Sequence, residues 1–332
     1  MPASAPRVAI AIVAWKGADL TIDCLRSIAA QIDELPAWHV YVVDNASPDD
    51  SADRVEQAIA REQWSRWATF IRSPVNGGFA SGNNIAIRAA MKSNPPDYFL
   101  LLNPDTIVRP AALATLLEFM EERKDVGIAG GRSEHLDATP QHCCFRFPNA
   151  INELSLYLSL GLFDRLFRRY LTRIAILEEP SSVDWVSGAF MMIRRAVIDD
   201  IGLMDEGYFL YFEETDFTLR ARRAGWTCWH VPQSRIVHLV GQSSGVTSAD
   251  ESTRRRPAYW FESRRRYFLL NHGRLYAMAA DAAALVGLAL GELRRIIERK
   301  TIRRPPHFIA DFIKHGAILN GRRSLKPRVT TP

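Results

Sequence analysis

Residues 8–14 form an unbroken apolar run rich in β-branched side chains, the pattern of a strand buried on both faces. A helical stretch follows near 18–31, then a strand over 38–43 that ends at Asp44-Asn45-Ala46-Ser47. The pattern next predicts a helix over 51–61, a short strand over 68–71, a helix over 83–91 and a strand over 98–102 ending at Asn103-Pro104-Asp105. Pro110 is placed as the first residue of a helix reaching about 123, and 126–129 reads as another short strand. Strands separated by helices predict right-handed βαβ units and a mostly parallel sheet. The second half is less regular. It predicts a strand over 185–194, a helix over 213–224 stopped by Gly225, and strands over 226–231 and 235–240. From Pro257 the pattern is helical to about 300, where Pro305-Pro306 ends it.

The 332 residues, 47% of them hydrophobic, suit one large α/β domain with a helical appendage. The net charge of +5 conceals an asymmetry. From Arg254 onward there are 18 Lys/Arg against 5 Asp/Glu, whereas the first 253 residues are acidic. This divides the chain into a catalytic body over 1–253 and a basic helical extension over 254–332. A basic tail on an acidic body suggests an anionic partner surface, and the competing reading is a solvated helical face with Arg-rich turns. A membrane fits better than nucleic acid, because no nucleic-acid-binding module motif is present. The apolar stretch 275–291 is interrupted by Asp281 and falls short of the ~20 residues a span requires. Leu290, Leu293, Ile296 and Ile297 then form a stripe beside Arg294, Arg295, Arg299 and Lys300. Two readings stand for it, an interfacial helix or a helix packing that stripe on the body. The short Pro/Ala-rich start has no apolar signal region, which predicts a cytoplasmic chain. Cys24, Cys143, Cys144 and Cys228 match no zinc spacing and read as reduced thiols.

Ligands of open α/β sheets bind at the carboxyl ends of the strands. Three such ends are informative: Trp15-Lys16-Gly17, Asp44-Asn45 and Asn103-Pro104-Asp105. One acid there can accept from a base or ribose, and the other can hold a divalent cation against a diphosphate. Either Asp alone would read as a turn or helix cap. Asn76-Gly77-Gly78-Phe79-Ala80-Ser81-Gly82-Asn83-Asn84 carries three glycines in six residues, which permits close backbone approach to a ligand before a helix that Asn83 or Asn84 would cap. Its spacing is not that of a dinucleotide fingerprint. Glu213-Glu214-Thr215-Asp216 follows an aromatic run at a helix start, where acids complement the helix dipole. A partly desolvated carboxylate walled by Phe209, Tyr211 and Phe212 is also a candidate general base. His238, at the end of a β-rich run, completes a metal site if Asp105 lies beside it.

Taken in order, these stretches resemble the family 2 glycosyltransferases, in particular their bacterial rhamnosyltransferase-like branch. The resemblance runs from about residue 8 to 273. It includes Ser187-Gly188-Ala189, Met204-Asp205-Glu206 and Glu262-Ser263-Arg264-Arg265-Arg266-Tyr267-Phe268 besides the motifs above. It implies a GT-A fold, a mostly parallel sheet flanked by helices, with the C-terminal helical extension. It implies a donor-binding set of Ala14, Trp15, Asp44, Asn76, Gly77, Gly78, Asn83 and Asn103, with Asp44 on the nucleotide base. Asn103-Pro104-Asp105 occupies the place of the family's Asp-x-Asp, so Asp105 would hold Mg²⁺ or Mn²⁺, with His238 as a further ligand. Position 214 falls on the catalytic base, and Asp216 is the alternative base with an expected structural part. Two positions depart from the pattern. Asn103 stands where the family's first metal-site acid would be, and Glu214 stands where Asp is more usual.

The resemblance further implies an inverting transfer from a nucleotide-sugar donor, dTDP-rhamnose first and UDP-linked hexoses next. The acceptor would be a hydroxyl of a glycan or of a polyprenyl-diphosphate-linked glycan, in cell-surface polysaccharide synthesis at the inner membrane face. Trp185 and the aromatics over 209–212 are candidate stacking surfaces for acceptor sugars or else core residues. Arg264–Arg266 are candidates for phosphate contact or for a solvated face. A non-catalytic nucleotide-sugar or glycan-binding protein is the alternative, and it would be expected to lack Asp105 or both Glu214 and Asp216. A nucleotidyltransferase would need a Gly-rich basic loop after the first strand, where Trp15-Lys16-Gly17-Ala18 stands.

Overall fold

The structure is a computed structural model that describes residues 5–35, 37–239, 254–300, 304–321 and 325. Val240, the last residue of the strand expected over 235–240, lies outside the described residues. The first half runs β1 (Val8–Ala14), α1 (Ala18–Ala29), β2 (Trp38–Asp44), α2 (Ser51–Arg61), β3 (Ala68–Arg72), α3 (Gly78–Ser93) and β4 (Tyr98–Leu102). It continues with β5 (Thr106–Val108), α4 (Ala112–Glu122) and β6 (Val126–Glu134). Then come β7 (Cys144–Phe145), α5 (Ala150–Leu158), α6 (Gly161–Leu166), β8 (Ser181–Val183), β9 (Trp185–Val186) and β10 (Phe190–Arg194). The order closes with α7 (Arg195–Ile201), α8 (Glu213–Arg223), β11 (Thr227–His238), α9 (Ala258–Ile297), α10 (Phe308–His315) and α11 (Ala317–Asn320).

The main sheet has the order β3-β2-β1-β4-β10-β6-β11-β5, with β8 also on β11. β10 is antiparallel to both β4 and β6, and β5 and β8 are antiparallel to β11. The other six strands all run the same way, so the sheet is mostly parallel. Side chains of β1 and β4 are buried on both faces, which is why these strands read as continuous apolar runs. Leu25 and Ile28 of α1, Val55 and Ile59 of α2, and Leu113 and Leu116 of α4 pack on one face. Ile87 of α3, Val197 and Ile198 of α7, and Phe217 of α8 pack on the other. Each such fully buried side chain contributes roughly 1.5–3 kcal/mol of transfer free energy. Register aligns Ala14 with Asp44 and Asp44 with Arg72, so the carboxyl ends of the first three strands finish level.

Four sequence expectations need correction. α3 begins at Gly78, not at 83, because the Gly-rich stretch is packed into helix. Pro110 lies two residues ahead of α4, whose N-cap Ala111 is left-handed (φ 60). The strand expected over 185–194 is broken between Val186 and Phe190 into β9 and β10. The two strands expected over 226–240 form one, β11, with an irregularity between Val231 and Arg235 that absorbs Pro232.

A third layer of α5, α9, α10 and α11 stands beside the sheet. It is tied together by Arg264, which donates from Nε to Glu153 of α5 at 2.9 Å and from Nη1 to Asp281 of α9 at 2.5 Å. The stripe Leu290, Leu293, Ile296 and Ile297 points outward into solvent, so the reading in which it packs on the body does not hold.

Candidate active site

At the end of β2, Asp44 is buried and its Oδ2 accepts from the Ser47 amide at 3.0 Å. Ser47 Oγ accepts in turn from the Lys16 amide at 2.7 Å, which ties the ends of β1 and β2 together. Lys16 and Gly17 are both left-handed (φ 62 and 68), and this turn leaves Trp15 half-exposed beneath the Lys16 ammonium, 4.7 Å from its ring centre. Ala14 is buried in the strand. Asn45 then clamps the Gly-rich segment: its Nδ2 donates to Asn76 Oδ1 at 3.0 Å and to the Gly78 carbonyl at 3.1 Å, and its Oδ1 accepts from Gly77 N at 3.3 Å. Asn76 Oδ1 also accepts from Gly78 N at 3.0 Å.

The glycines here serve packing. Gly78 has φ +83, and a Cβ on it would stand 1.9 Å from the Phe209 carbonyl oxygen. A Cβ on Gly82 would stand 2.4 Å from Val13 Cγ1 of β1. The capping expected of Asn83 or Asn84 is absent, since both lie inside α3. Asn83 is buried and donates to the Phe79 carbonyl at 2.9 Å. Asn84 donates to the Met204 carbonyl at 2.9 Å and to Glu206 Oε1 at 3.0 Å. It pins the 203–206 loop to α3.

Asn103, Asp105 and His238 come together at the opposite side of the β1 end. His238 closes β11 opposite Thr106 of β5. Its Nε2 lies 3.4 Å from Asp105 Oδ1 and 3.4 Å from Asn103 Nδ2. The Asp105 carbonyl accepts from Leu239 N at 2.9 Å, which holds the two segments in place. Among the described residues no group of three or more His, Cys, Asp or Glu side chains gathers as a metal cage. A carboxylate and an imidazole nonetheless form a fitting partial donor set for Mg²⁺ or Mn²⁺, ions that complete their shells with phosphate oxygens and water.

The break between β9 and β10 links this cluster to α8. Asn103 N donates to the Ala189 carbonyl at 3.0 Å. The neighbouring Gly188 lies against Glu214, where a Cβ would come 3.9 Å from Glu214 Cβ and 3.0 Å from the Phe79 ring. The missing side chain admits the Phe79 ring beside the Gly188 backbone and Glu214. Glu213 and Glu214 each bury an Oε2 that has no hydrogen-bond partner among the described residues. Burial raises the pKa of Glu214, and burial with the neighbouring Glu214 charge raises that of Glu213 well above the usual range. Tyr211 and Phe212, which lead into α8, are both left-handed (φ 73 and 69), a strain of order 1–3 kcal/mol each for non-glycine residues. Asp216 differs: it is buried, it accepts from Arg220 Nε at 2.9 Å, and its Oδ1 accepts from Asn271 Nδ2 at 2.7 Å and from the Tyr208 hydroxyl at 3.3 Å.

Arg264 and Arg266 fall outside the solvated-face role weighed for them, whereas Trp185 and Tyr211 pack within the protein. Arg264 is buried in the third layer, and Arg266 is buried against Asp205, with Nε on Oδ2 at 2.9 Å and Nη2 on Oδ1 at 2.8 Å. Neither forms a solvated face. Trp185 is stacked on Phe145 (4.4 Å between centroids, 24°) and donates from Nε1 to the Arg146 carbonyl at 3.0 Å. Tyr211 is stacked on Tyr259 at 6.3 Å. Sequence reasoning passed over Asn45, Glu213 and Gly188 as individual participants. Their available signals were an Asn directly after a strand-end Asp, doubled glutamates and a glycine inside a strand-like run.

Comparison with known proteins bears on this arrangement. Residues 6–268 match the family described as glycosyltransferase like family 2. The chain is 29% identical over 173 residues to the rhamnosyltransferase WbbL of Escherichia coli (strain K12), a match covering 49% of this chain and 61% of that protein. It is 27% identical over 155 residues to the N-acetylglucosaminyl-diphospho-decaprenol L-rhamnosyltransferase of Mycobacterium tuberculosis, covering 45% of this chain and 49% of that one. The chain thus matches between about half and three fifths of the length of these relatives. Among solved structures, GalNAc-T7 with UDP, GalNAc and Mn²⁺ superposes with a TM-score of 0.59 at 14% identity, covering 97% of this chain and 59% of that one. The mannosyltransferase PcManGT of Pyrobaculum calidifontis, in complex with GDP-Man and Mn²⁺, superposes at 0.54 with 15% identity, covering 97% and 82%. The architecture is that of the GT-A glycosyltransferases. The chain belongs to the glycosyltransferase-like family 2.

Proposed function

We propose that the chain transfers a sugar, with inversion, from a nucleotide-diphosphate donor to a hydroxyl of a glycan or lipid-linked glycan acceptor. The observation that carries this reading is the bridge Asn103–Ala189–Gly188–Glu214. It sets a buried carboxyl with a raised pKa one short segment from the Asn103, Asp105 and His238 cluster. Asp44 and the Asn45-clamped segment bind the nucleotide end of the donor, and Trp15 flanks it. Asp105 and His238, with Asn103 beside them, would hold Mg²⁺ or Mn²⁺, which would supply positive charge against the leaving diphosphate. Glu214 accepts the acceptor's hydroxyl proton as that oxygen bonds to the anomeric carbon. The bond from that carbon to the diphosphate oxygen breaks, and the nucleoside diphosphate leaves with the electron pair. Asp216 is a positioning residue. The names of the relatives support a rhamnosyl donor and, in one case, a polyprenyl-diphosphate-linked saccharide acceptor; dTDP-rhamnose is the donor we infer, used at the cytoplasmic face of a membrane.

The test is nucleotide release from a panel of dTDP-, UDP- and GDP-sugars with Mg²⁺ or Mn²⁺. Asp105→Ala is expected to abolish metal-dependent release. Glu214→Gln is expected to lower transfer by about 10²–10⁴-fold, the usual worth of a general base. A Glu214→Gln variant with the wild-type rate would sink the assignment.

A further inference from the structure

Beyond Gly273, where the backbone leaves helical geometry (φ 81), every exposed residue of α9 from Leu275 to Ile297 is apolar. Leu275, Ala282, Val286, Leu290, Leu293 and Ile297 recur at helical spacing and are exposed, Leu275 by 83%, Leu293 by 54% and Ile297 by 72%. A solvated surface helix shows the reverse pattern, polar residues outward. The packed face of α9 is built of small residues: a Cβ on Gly287 would stand 2.4 Å from the Leu154 carbonyl oxygen, and one on Gly291 2.3 Å from that of Tyr157. Asp281, which breaks the apolar run in sequence, points into this packed face. It receives Arg264 Nη1 and the Ala317 and Ile318 amides. α9 is long and apolar enough to cross a bilayer by length and composition. With one face given to α5, α10 and α11 and its acid satisfied there, it lies along a surface.

The stripe has neighbours of the same kind. Arg294 Nη1 donates to the Ser159 carbonyl at 2.6 Å, which brings the end of α9 beside the end of α5 and the start of α6. There Leu156, Leu162 and Leu166 are also exposed. Over 161–170 and 290–300 the cations are Arg165, Arg168, Arg169, Arg294, Arg295, Arg299 and Lys300, against the acids Asp164, Glu292 and Glu298. A cavity of about 250 Å³ between α5, α9 and α10 has Arg256, Trp260, Arg295 and Arg304 in its wall.

We propose that this face docks the protein on a bilayer of anionic phospholipid. The aliphatic stripe enters the boundary between headgroups and acyl chains, and the arginines meet the phosphates. Charge decides the occupant: a seven-to-three cationic surplus around a bare aliphatic face is the complement of an anionic lipid surface. The proposal deepens the membrane-face reading of the proposed function, but none of the residues assigned to sugar transfer lies on this face, so vesicle binding and sugar transfer can fail independently.

The test is co-sedimentation of the full chain with phosphatidylcholine vesicles containing phosphatidylglycerol, against phosphatidylcholine alone, at low and high salt. Wild type is expected to sediment with the anionic vesicles and to be released by salt. The variant L290Q/L293Q/I297Q, all at exposed positions, is expected to bind on the order of tenfold more weakly or less. R299E/K300E is expected to lose several-fold and to show a shallower salt dependence. Matched thermal melts establish that the variants fold. The proposal is overturned if wild type ignores anionic vesicles or if the triple variant binds them equally. It is also overturned if light scattering finds a dimer that the triple variant dissociates without any change in vesicle binding.

Discussion

Glu213 and Glu214 open α8 side by side, Glu213 buried and Glu214 half-buried with its Oε2 enclosed, and their proton affinities carry opposite consequences for catalysis and for stability. A general base works only when deprotonated. The transfer rate should therefore rise with pH through an apparent value above the ordinary glutamate range, and Glu214→Gln should remove that limb from the kcat profile. For stability the sign reverses. The folded state holds these protons more tightly than the unfolded chain does, so their contribution is intact below the ordinary glutamate pKa and is lost as pH rises through the raised values. Glu213→Gln keeps the shape without the ionisation. Its melting temperature should exceed wild type at pH 8, by about 2–4 °C per kcal/mol gained, and the gap should close near pH 4. An equal gap at both pH values would contradict this account. The resemblance ranks Glu214 over Asp216, but the residues themselves give no physical ground for that order. Both sit in the first turn of a helix, and only the fold brings Asn271, from 55 positions along the chain, onto Asp216.

At the scale of elements, the motifs most legible in sequence were those whose pattern follows from burial. β1, β4 and α2 begin and end where the apolar runs and the amphipathic period predict. α3 starts five residues earlier than its composition allows because tertiary contact overrides propensity. Gly78 fits under the Phe209 carbonyl, whose oxygen accepts from Phe79 N at 2.9 Å, and Gly82 lies on Val13. Gly82→Ala should therefore cost about 1–3 kcal/mol through overpacking on β1, read as a lowered melting temperature. Gly78→Ala meets both a positive φ and a backbone oxygen. It should push the 207–212 loop away from α3 and weaken nucleotide-sugar binding in calorimetry more than Gly82→Ala does at equal loss of stability. The short strands β5 and β7 escaped the sequence reading because two or three residues carry no period. The break before β10 escaped it because Ser187, Gly188 and Ala189 continue a strand-like composition while serving the site.

Across the whole molecule, α9 joins two parts that the charge asymmetry had separated at residue 254. Its first half is built into the site: Ser263 donates to the Leu210 carbonyl at 3.0 Å, Arg266 grips Asp205, and Asn271 holds Asp216. Its second half carries the outward stripe. The hinge between them is Gly273, and the hub that fixes the second half is Asp281, which receives Arg264 from one side and the start of α11 from the other. Removing one partner of a buried ion pair typically costs 3–5 kcal/mol, because the other charge stays buried. In Asp281→Leu that burden falls on Arg264, still paired with Glu153, and on two amides of α11. The loss should be local. Hydrogen exchange should speed up over α10, α11 and the second half of α9 while β1, β2 and β4, held by two layers of helices, exchange as in wild type. Donor hydrolysis should change little, because the Arg266 and Asn271 contacts lie on the near side of Gly273. If the sheet strands lose protection along with α10 and α11, the third layer and the catalytic body unfold as one unit, and Asp281 is then part of the core and not a latch upon it.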